Sequence, residues 1–271
     1  MFLTSSQILA YLAIQEKGNW TNIYQRLVNK EVNFESDVID TLSKNHYRFI
    51  TILDEEYPAC LRNVYQPPFV LFYDGNISLL KDCFVDNQVA IIGSRECSEY
   101  GIQMTQDLTR EIAQEFTVVS GLAKGIDAIA SQTAMEAGGH TIAVLGCGID
   151  ICYPEENLPL FNKIKDDDLL ISEYPEGVPP SPDKFPMRNR IIAGLGKGIL
   201  VTEAGYRSGT SITVGFGLQN SRVIMCVPAL AGQGSLCNRL IKEGAYMVED
   251  YSDFIEAMND FAEAKKYYYG K

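Results

Sequence analysis

The sequence predicts an α/β protein: a mostly parallel β-sheet covered by helices, preceded by a small helical module. Three observations carry that expectation. From about residue 88, short apolar runs alternate with helix-like segments, the pattern of strand–helix–strand units. The runs lack a polar alternate face, as strands buried on both sides do. Several of them run straight into glycine-containing loops, where a backbone turning from strand to helix needs conformational freedom.

Residues 1–45 read as helical. Ile8, Leu9, Leu12 and Ala13 recur at helix spacing behind a Ser5 or Ser6 cap, with further helices expected over 20–28 and 34–42. Residues 46–87 read as a connector packed on the α/β domain. It holds a strand-like stretch over 47–53, Tyr57-Pro58, Pro67-Pro68 and an apolar run over 69–73, closed by the turn signal Asp74-Gly75-Asn76. Residues 88–271 form the α/β domain, with strands expected at 89–92, 117–119, 141–145, 169–171, 199–201 and 223–227. No internal repeat is evident.

The 271 residues are 46% hydrophobic and 21% charged, an ordinary soluble composition, and no apolar run reaches membrane-spanning length. The N-terminus lacks the basic and apolar regions of a secretory leader, so the expected location is cytoplasmic. Seven cysteines with no C-x-x-C pair read as small buried hydrophobes, and His46 and His140 stand apart from any ligand cluster, so no metal is expected. The net charge is −12, but residues 184–222 hold six bases (Lys184, Arg188, Arg190, Lys197, Arg207, Arg222) against the single acid Glu203. That stretch is either a basic cleft in an acidic body, able to focus a polyanion, or a solvated helix face; charge alone leaves both open.

The strand ends narrow the choice. The first run leads into Gly93-Ser94-Arg95, the second into Ser120-Gly121-Leu122-Ala123-Lys124-Gly125-Ile126-Asp127, the third into Gly146-Cys147-Gly148 and the fifth into Thr202-Glu203-Ala204. In an open parallel sheet these loops share the carboxyl edge, where helix N-termini offer free N–H groups to anions. Arg95 and Lys124 then project toward one site suited to phosphate. The first loop lacks G-x-G-x-x-G, and the second is too short for a P-loop, so neither a dinucleotide cofactor nor ATP hydrolysis is expected. Tight turns require glycine without any ligand, so each loop taken alone also has a purely structural reading. The helix-like Lys184–Leu195 stretch carries Arg188, Asn189 and Arg190, and Arg207-Ser208-Gly209-Thr210 resembles an anion cradle. Tyr153, Phe185 and Tyr206 are candidates to stack on unpaired bases.

Taken together these stretches resemble the DNA-processing protein A (DprA/Smf) family. The resemblance rests on Gly93-Ser94-Arg95, on 120–127, on 141–148 with Tyr153-Pro154, on 185–195, and on Glu203-Ala204 with Ser208-Gly209-Thr210, covering roughly residues 50–250. It implies an extended Rossmann-like domain that binds single-stranded DNA without catalysis or cofactor. It further implies a homodimer that delivers the strand to the RecA recombinase during natural transformation. Residues 1–45 correspond to the small SAM-like helical module of some members. Carried over by position, the DNA-contacting candidates are Gly93, Ser94, Arg95, Ser120, Gly121, Lys124, Arg188 and Arg190. Gly125, Lys184, Asn189, Arg207, Ser208, Gly209 and Thr210 join them from the same loops. Self-association is expected to involve Leu240, Ile241 and Met247. Two departures stand out: the family's Asp-x-x-Ala-His pattern ends in Ser131 here, and the chain is expected to lack the winged-helix module that follows in some members. The alternative is a nucleoside-monophosphate phosphoribohydrolase-like enzyme with Glu203 as acid/base and Asp127 as helper.

Overall fold

The structure, a computed structural model, describes residues 3–32, 40, 42, 47–84, 87–232 and 234–269. The helix expected over 34–42 falls largely outside the described residues. The first two helices, α1 (Ser5–Gln15) and α2 (Trp20–Asn29), form where the apolar spacing placed them. The α1 cap is Thr4 rather than Ser5 or Ser6. Gln7, three residues on, closes a capping box: its N–H donates to Thr4 Oγ1 at 3.2 Å, and its side chain accepts from the Thr4 N–H at 2.9 Å.

Nine strands form one sheet: β1 (Phe49–Thr51), β2 (Val70–Gly75), β3 (Gln88–Ile92), β4 (Thr117–Ser120), β5 (Thr141–Gly148), β6 (Leu169–Tyr174), β7 (Gly198–Val201), β8 (Val223–Cys226) and β9 (Tyr246–Met247). Their order is β1-β2-β6-β5-β4-β3-β7-β8-β9. From β6 to β9 every pairing is parallel, and β2 joins β6 antiparallel, as does β1 to β2. Residues 46–87 are therefore more than a connector packed on the domain: two of their segments are hydrogen-bonded into the sheet itself. β2 lies antiparallel beside β6, with Phe72 opposite Ser172.

Between the strands lie α3 (Glu99–Ile112), α4 (Ile126–Glu136), α5 (Leu158–Asp167), α6 (Lys184–Leu195), α7 (Thr210–Gln219) and α8 (Leu236–Lys242), and α9 (Tyr251–Tyr269) follows β9. Alternate strand residues face opposite sides. On one side Ala90, Ile92, Val119, Val144, Ile171, Ile199 and Val201 share a single cluster with Ile191 and Ile192 of α6 and Val214 of α7. The other side divides. Leu145 and Leu170 pack with Leu9 and Leu12 of α1 and Phe161 of α5, while Val89, Ile91 and Val118 pack with Leu108 of α3 and Phe254 of α9. The N-terminal module thus shares its core with the sheet. Cys97, Cys147, Cys152, Cys226 and Cys237 are free thiols, as expected of them, but Cys60 is disulfide-bonded, contrary to the reading of all seven as unpaired hydrophobes. Among the described residues no helix is long and apolar enough to cross a membrane.

Candidate nucleic-acid interface

Strand order reverses between β3 and β7: β4, β5 and β6 lie to one side of β3, and β7, β8 and β9 to the other. Loops leaving that switch point part, and a crevice opens at the carboxyl ends of the strands. Here it is a cleft of about 660 Å³ whose wall includes Gly93, Ser94 and Arg95 after β3, Asp127 of α4, and Tyr153 after β5. Phe185, Arg188 and Asn189 of α6, with Ser208, Gly209 and Thr210 after β7, complete it. A smaller adjoining recess is lined by Gly121, Lys124, Gly146 and Pro154 together with Arg95, Tyr153, Phe185 and Arg188.

The glycines set how closely these parts approach. A Cβ on Gly121 would stand 2.5 Å from Arg188 Nη1, and one on Gly146 would stand 2.8 Å from the Phe185 ring. Gly125 has φ +72° and lies against the Ser94 and Arg95 carbonyls, locking the loop after β3 onto the start of α4. The Ser94 N–H donates to the Glu203 carbonyl at 2.7 Å, and the Thr210 hydroxyl donates to the Gly93 carbonyl at 3.3 Å, joining the loops after β3 and β7. These glycines act by close approach within the protein.

Arg95 is exposed at the cleft mouth, its guanidinium carbon 5.7 Å from the centre of the Phe185 ring. Phe185 in turn stacks on Tyr153 with centroids 5.5 Å apart at 30°, and Tyr153 is 46% exposed. Among the described residues Arg95 forms no ion pair, whereas Lys124 is paired with Glu156. Arg188 forms the cleft floor. It is buried, donates to the carbonyls of Gly121 and Val144, and lies beside Asp127. Burial pushes the Asp127 carboxyl up, against the Arg188 charge and the N–H groups of Gly121, Ala123 and Gly93 that favour its ionised form. The Ser208 hydroxyl is buried without a hydrogen-bond partner in the cleft wall.

Other expected contacts lie elsewhere. Arg190 is fully buried: it pairs with both oxygens of Glu173 at 2.7 and 2.8 Å and donates to the carbonyls of Tyr65 and Gln66. Two residues from Arg188 on a helix, it points to the other side, so it cannot reach a strand in the cleft. Ser120 is also buried, donating to the Ile91 carbonyl at 2.9 Å. Lys184 donates to Ser181 Oγ at 2.5 Å and lies over the Tyr174 ring, off the cleft wall. Arg207 is exposed on the β7 loop, outside the wall. Tyr206 is no cleft platform, because it packs against Arg239, whose Nη1 donates to its hydroxyl at 2.9 Å. The wall also includes Ile212 and Thr213, which sequence reasoning missed. Their place one turn into a helix that starts at the Gly209-Thr210 cradle was the available signal.

Glu203, the acid/base expected of the alternative enzyme, has its carboxylate engaged. It accepts from the Ser98 N–H at 3.0 Å and from the Ser98 hydroxyl at 2.7 Å, capping α3. Among the described residues there is no group of three or more His, Cys, Asp or Glu side chains that could hold a metal ion.

A family model for DNA recombination-mediator protein A matches residues 48–259, a span that runs from β1 into α9 and contains every wall of the cleft. The chain belongs to the DNA recombination-mediator protein A family. Membership places it in DNA processing and recombination. It is 42% identical over 218 residues to the DNA processing protein DprA of Streptococcus pneumoniae, covering 79% of this chain and 76% of that one. It is 36% identical to DprA of Bacillus subtilis, over 77% of this chain and 70% of the relative. The X-ray structure of the Streptococcus pneumoniae DprA matches with a TM-score of 0.78 at 33% identity, covering 94% of this chain and 98% of that chain. The DNA processing protein A of Helicobacter pylori, a structure described for its single-stranded DNA binding mode, matches with a TM-score of 0.70 at 26% identity, covering 81% and 98%. The recombination-mediator fold is thus reproduced across nearly the whole chain, and the extended Rossmann-like expectation holds.

Proposed function

We propose that the cleft captures single-stranded DNA with little regard to sequence. The observation that carries this reading is the exposed Arg95 set over the stacked Phe185–Tyr153 pair at the cleft mouth, a cation beside aromatic faces. A strand offers the two partners this pairing suits: a phosphate for the guanidinium and an unpaired base for the rings. The start of α7 adds backbone donors for phosphate oxygen. Arg188 supports the floor and supplies positive potential, and Lys124 contributes less because Glu156 already neutralises it. The Helicobacter pylori relative is described for its single-stranded DNA binding, which supports a single strand as the class of ligand.

Fluorescence anisotropy of labelled single- and double-stranded oligonucleotides tests it. The single strand is expected to bind preferentially, with log K falling by about 0.7 per log unit of salt for each phosphate neutralised. Arg95→Ala is expected to weaken that binding roughly tenfold or more, the value of a lost charge-assisted contact. Equal affinity of the variant and the parent would remove Arg95 from the interface.

In the full reading the chain is a cytoplasmic homodimer that loads the captured strand with RecA during natural transformation. Self-association is supported by the sheet edge: Met247 on β9 is 49% exposed and Leu230 is 73% exposed, beside a groove of about 700 Å³ that includes Ile241. Leu240 and Ile241 are half-buried and pack against the core, so Met247 is the more accessible of the three expected contacts. Loading of RecA rests on the family and is read as faster RecA ATP hydrolysis on single-stranded DNA when the protein is added.

A further inference from the structure

Buried Arg190 leads to a feature outside the cleft. Its guanidinium, held by Glu173, clamps the carbonyls of Tyr65 and Gln66 at 3.1 and 2.9 Å, and Gln66 has φ +46°. Beneath the same turn, Gly194 lies so close that a Cβ would stand 2.6 Å from Leu61 and Val64. Backbone fixed this firmly nonetheless presents a large aromatic outward: Tyr65 is 56% exposed, and it stacks on Phe216 of α7 with centroids 6.3 Å apart at 22°. Phe216 follows Ile212 by four residues, one helical turn or about 6 Å along the same face. Ile212, 42% exposed, lines the cleft. Gly215 lies between them with open space where a side chain would stand. An apolar strip therefore runs unbroken from the cleft wall through Ile212, Gly215 and Phe216 to Tyr65.

Its composition and its continuity with the cleft identify its occupant. In a chain of net charge −12, the two segments that carry the strip, residues 61–69 and 207–222, contain no Asp or Glu. Arg207 is exposed on one of them, whereas Arg62 donates to the Ile52 and Asp54 carbonyls and Arg222 to the Gly194 carbonyl. An apolar, aromatic strip without acidic residues on its own segments, continuous with the cleft proposed to take a single strand, suits that strand better than a protein partner. We propose that Tyr65 and Phe216 form a second base-stacking platform that holds the stretch of single-stranded DNA leaving the cleft. The path from Ile212 to Tyr65 is roughly 12 Å, about three or four stacked nucleotides. Arg190 and Glu173 are positioning residues for it: they fix the backbone that carries Tyr65, so little conformational freedom is lost when a base stacks.

The proposal rests on the cleft being a single-strand site, and length dependence separates the two. Anisotropy is measured with an oligothymidine of about six nucleotides, which fills the cleft, and one of about twenty, which also crosses the strip. Tyr65→Ala is expected to weaken the longer strand about tenfold and leave the shorter unchanged, Tyr65→Trp to retain the parent affinity, and Arg95→Ala to weaken both. Tyr65 is exposed, so its variants keep the parent's thermal unfolding midpoint, which is checked first. A long oligonucleotide bearing a photoactivatable halogenated uracil is expected to crosslink to Tyr65 or Phe216. Unchanged binding of the longer strand to Tyr65→Ala, with Arg95→Ala impaired, overturns the platform and leaves the cleft standing. Failure of the parent to bind either strand overturns both.

Discussion

Two arginines two residues apart on one helix show how position decides chemistry. Arg188 faces the cleft and braces the loops after β4 and β5 through the Gly121 and Val144 carbonyls. Arg190 faces the other way and is fully enclosed, its charge neutralised by Glu173. Removing one partner of a buried pair strands the other charge, a loss of about 3–5 kcal/mol. Arg190→Ala is therefore expected to lower unfolding free energy by roughly that amount in urea titration. Arg95→Ala, at an exposed site, should stay within about 0.5 kcal/mol of the parent. A stable Arg190→Ala protein would contradict the buried-pair reading.

At the scale of elements, helix ends carry much of the site's geometry. The start of α3 is held by Ser98, whose hydroxyl accepts from the Gly101 N–H at 3.1 Å while donating to Glu203. Glu203 thus ties the loop after β7 to a helix beginning just beyond β3, the two strands that border the cleft. Loss of such a cap costs about 1 kcal/mol, so Glu203→Ala should show a stability loss of that order in thermal unfolding. It should leave single-strand affinity close to that of the parent. Appearance of nucleotide hydrolysis that Glu203→Ala abolishes would reverse this assignment and restore the phosphoribohydrolase alternative.

Across the whole molecule, charge and pH behave differently at the two edges of the sheet. The carboxyl edge holds the cleft. The opposite edge holds Asp168, whose carboxylate contacts His140 Nδ1 at 2.7 Å and accepts from the Thr141 N–H at 3.3 Å. Burial raises the Asp168 carboxyl, against the hydrogen bond and charge of His140 and the Thr141 N–H. A raised folded pKa means that the native state holds the proton more tightly than the unfolded chain does. The group's stabilising contribution is then full below the unfolded value, near pH 4, and is lost as pH rises through the folded one. Asp168→Asn cannot ionise. Its unfolding midpoint relative to the parent should therefore shift in the variant's favour as pH rises from about 4. A difference independent of pH would show that the buried carboxyl does not titrate as described.

The sequence by itself determined the α/β class and the six parallel strands from β3 to β8. It also determined that the glycine loops share one edge, because buried parallel strands are continuous apolar runs and their turns need glycine. Several residues of the cleft wall were legible as well: Arg95, Tyr153 and the Ser208-Gly209-Thr210 loop from their place beyond strand ends, and Phe185 from its place beside Arg188 in a helix-like stretch. Only the tertiary structure decided that β1 and β2 extend the sheet, since antiparallel partners distant along the chain leave no local signal. Only it decided that β9, two residues long, forms the far edge. It alone separated Arg188 from Arg190 and sent Tyr206 to Arg239, because burial and pairing depend on what packs against a side chain. Residue type and spacing mark which positions can carry charge or a ring. Which of them faces a cleft is settled by the neighbours that the fold brings from elsewhere in the chain.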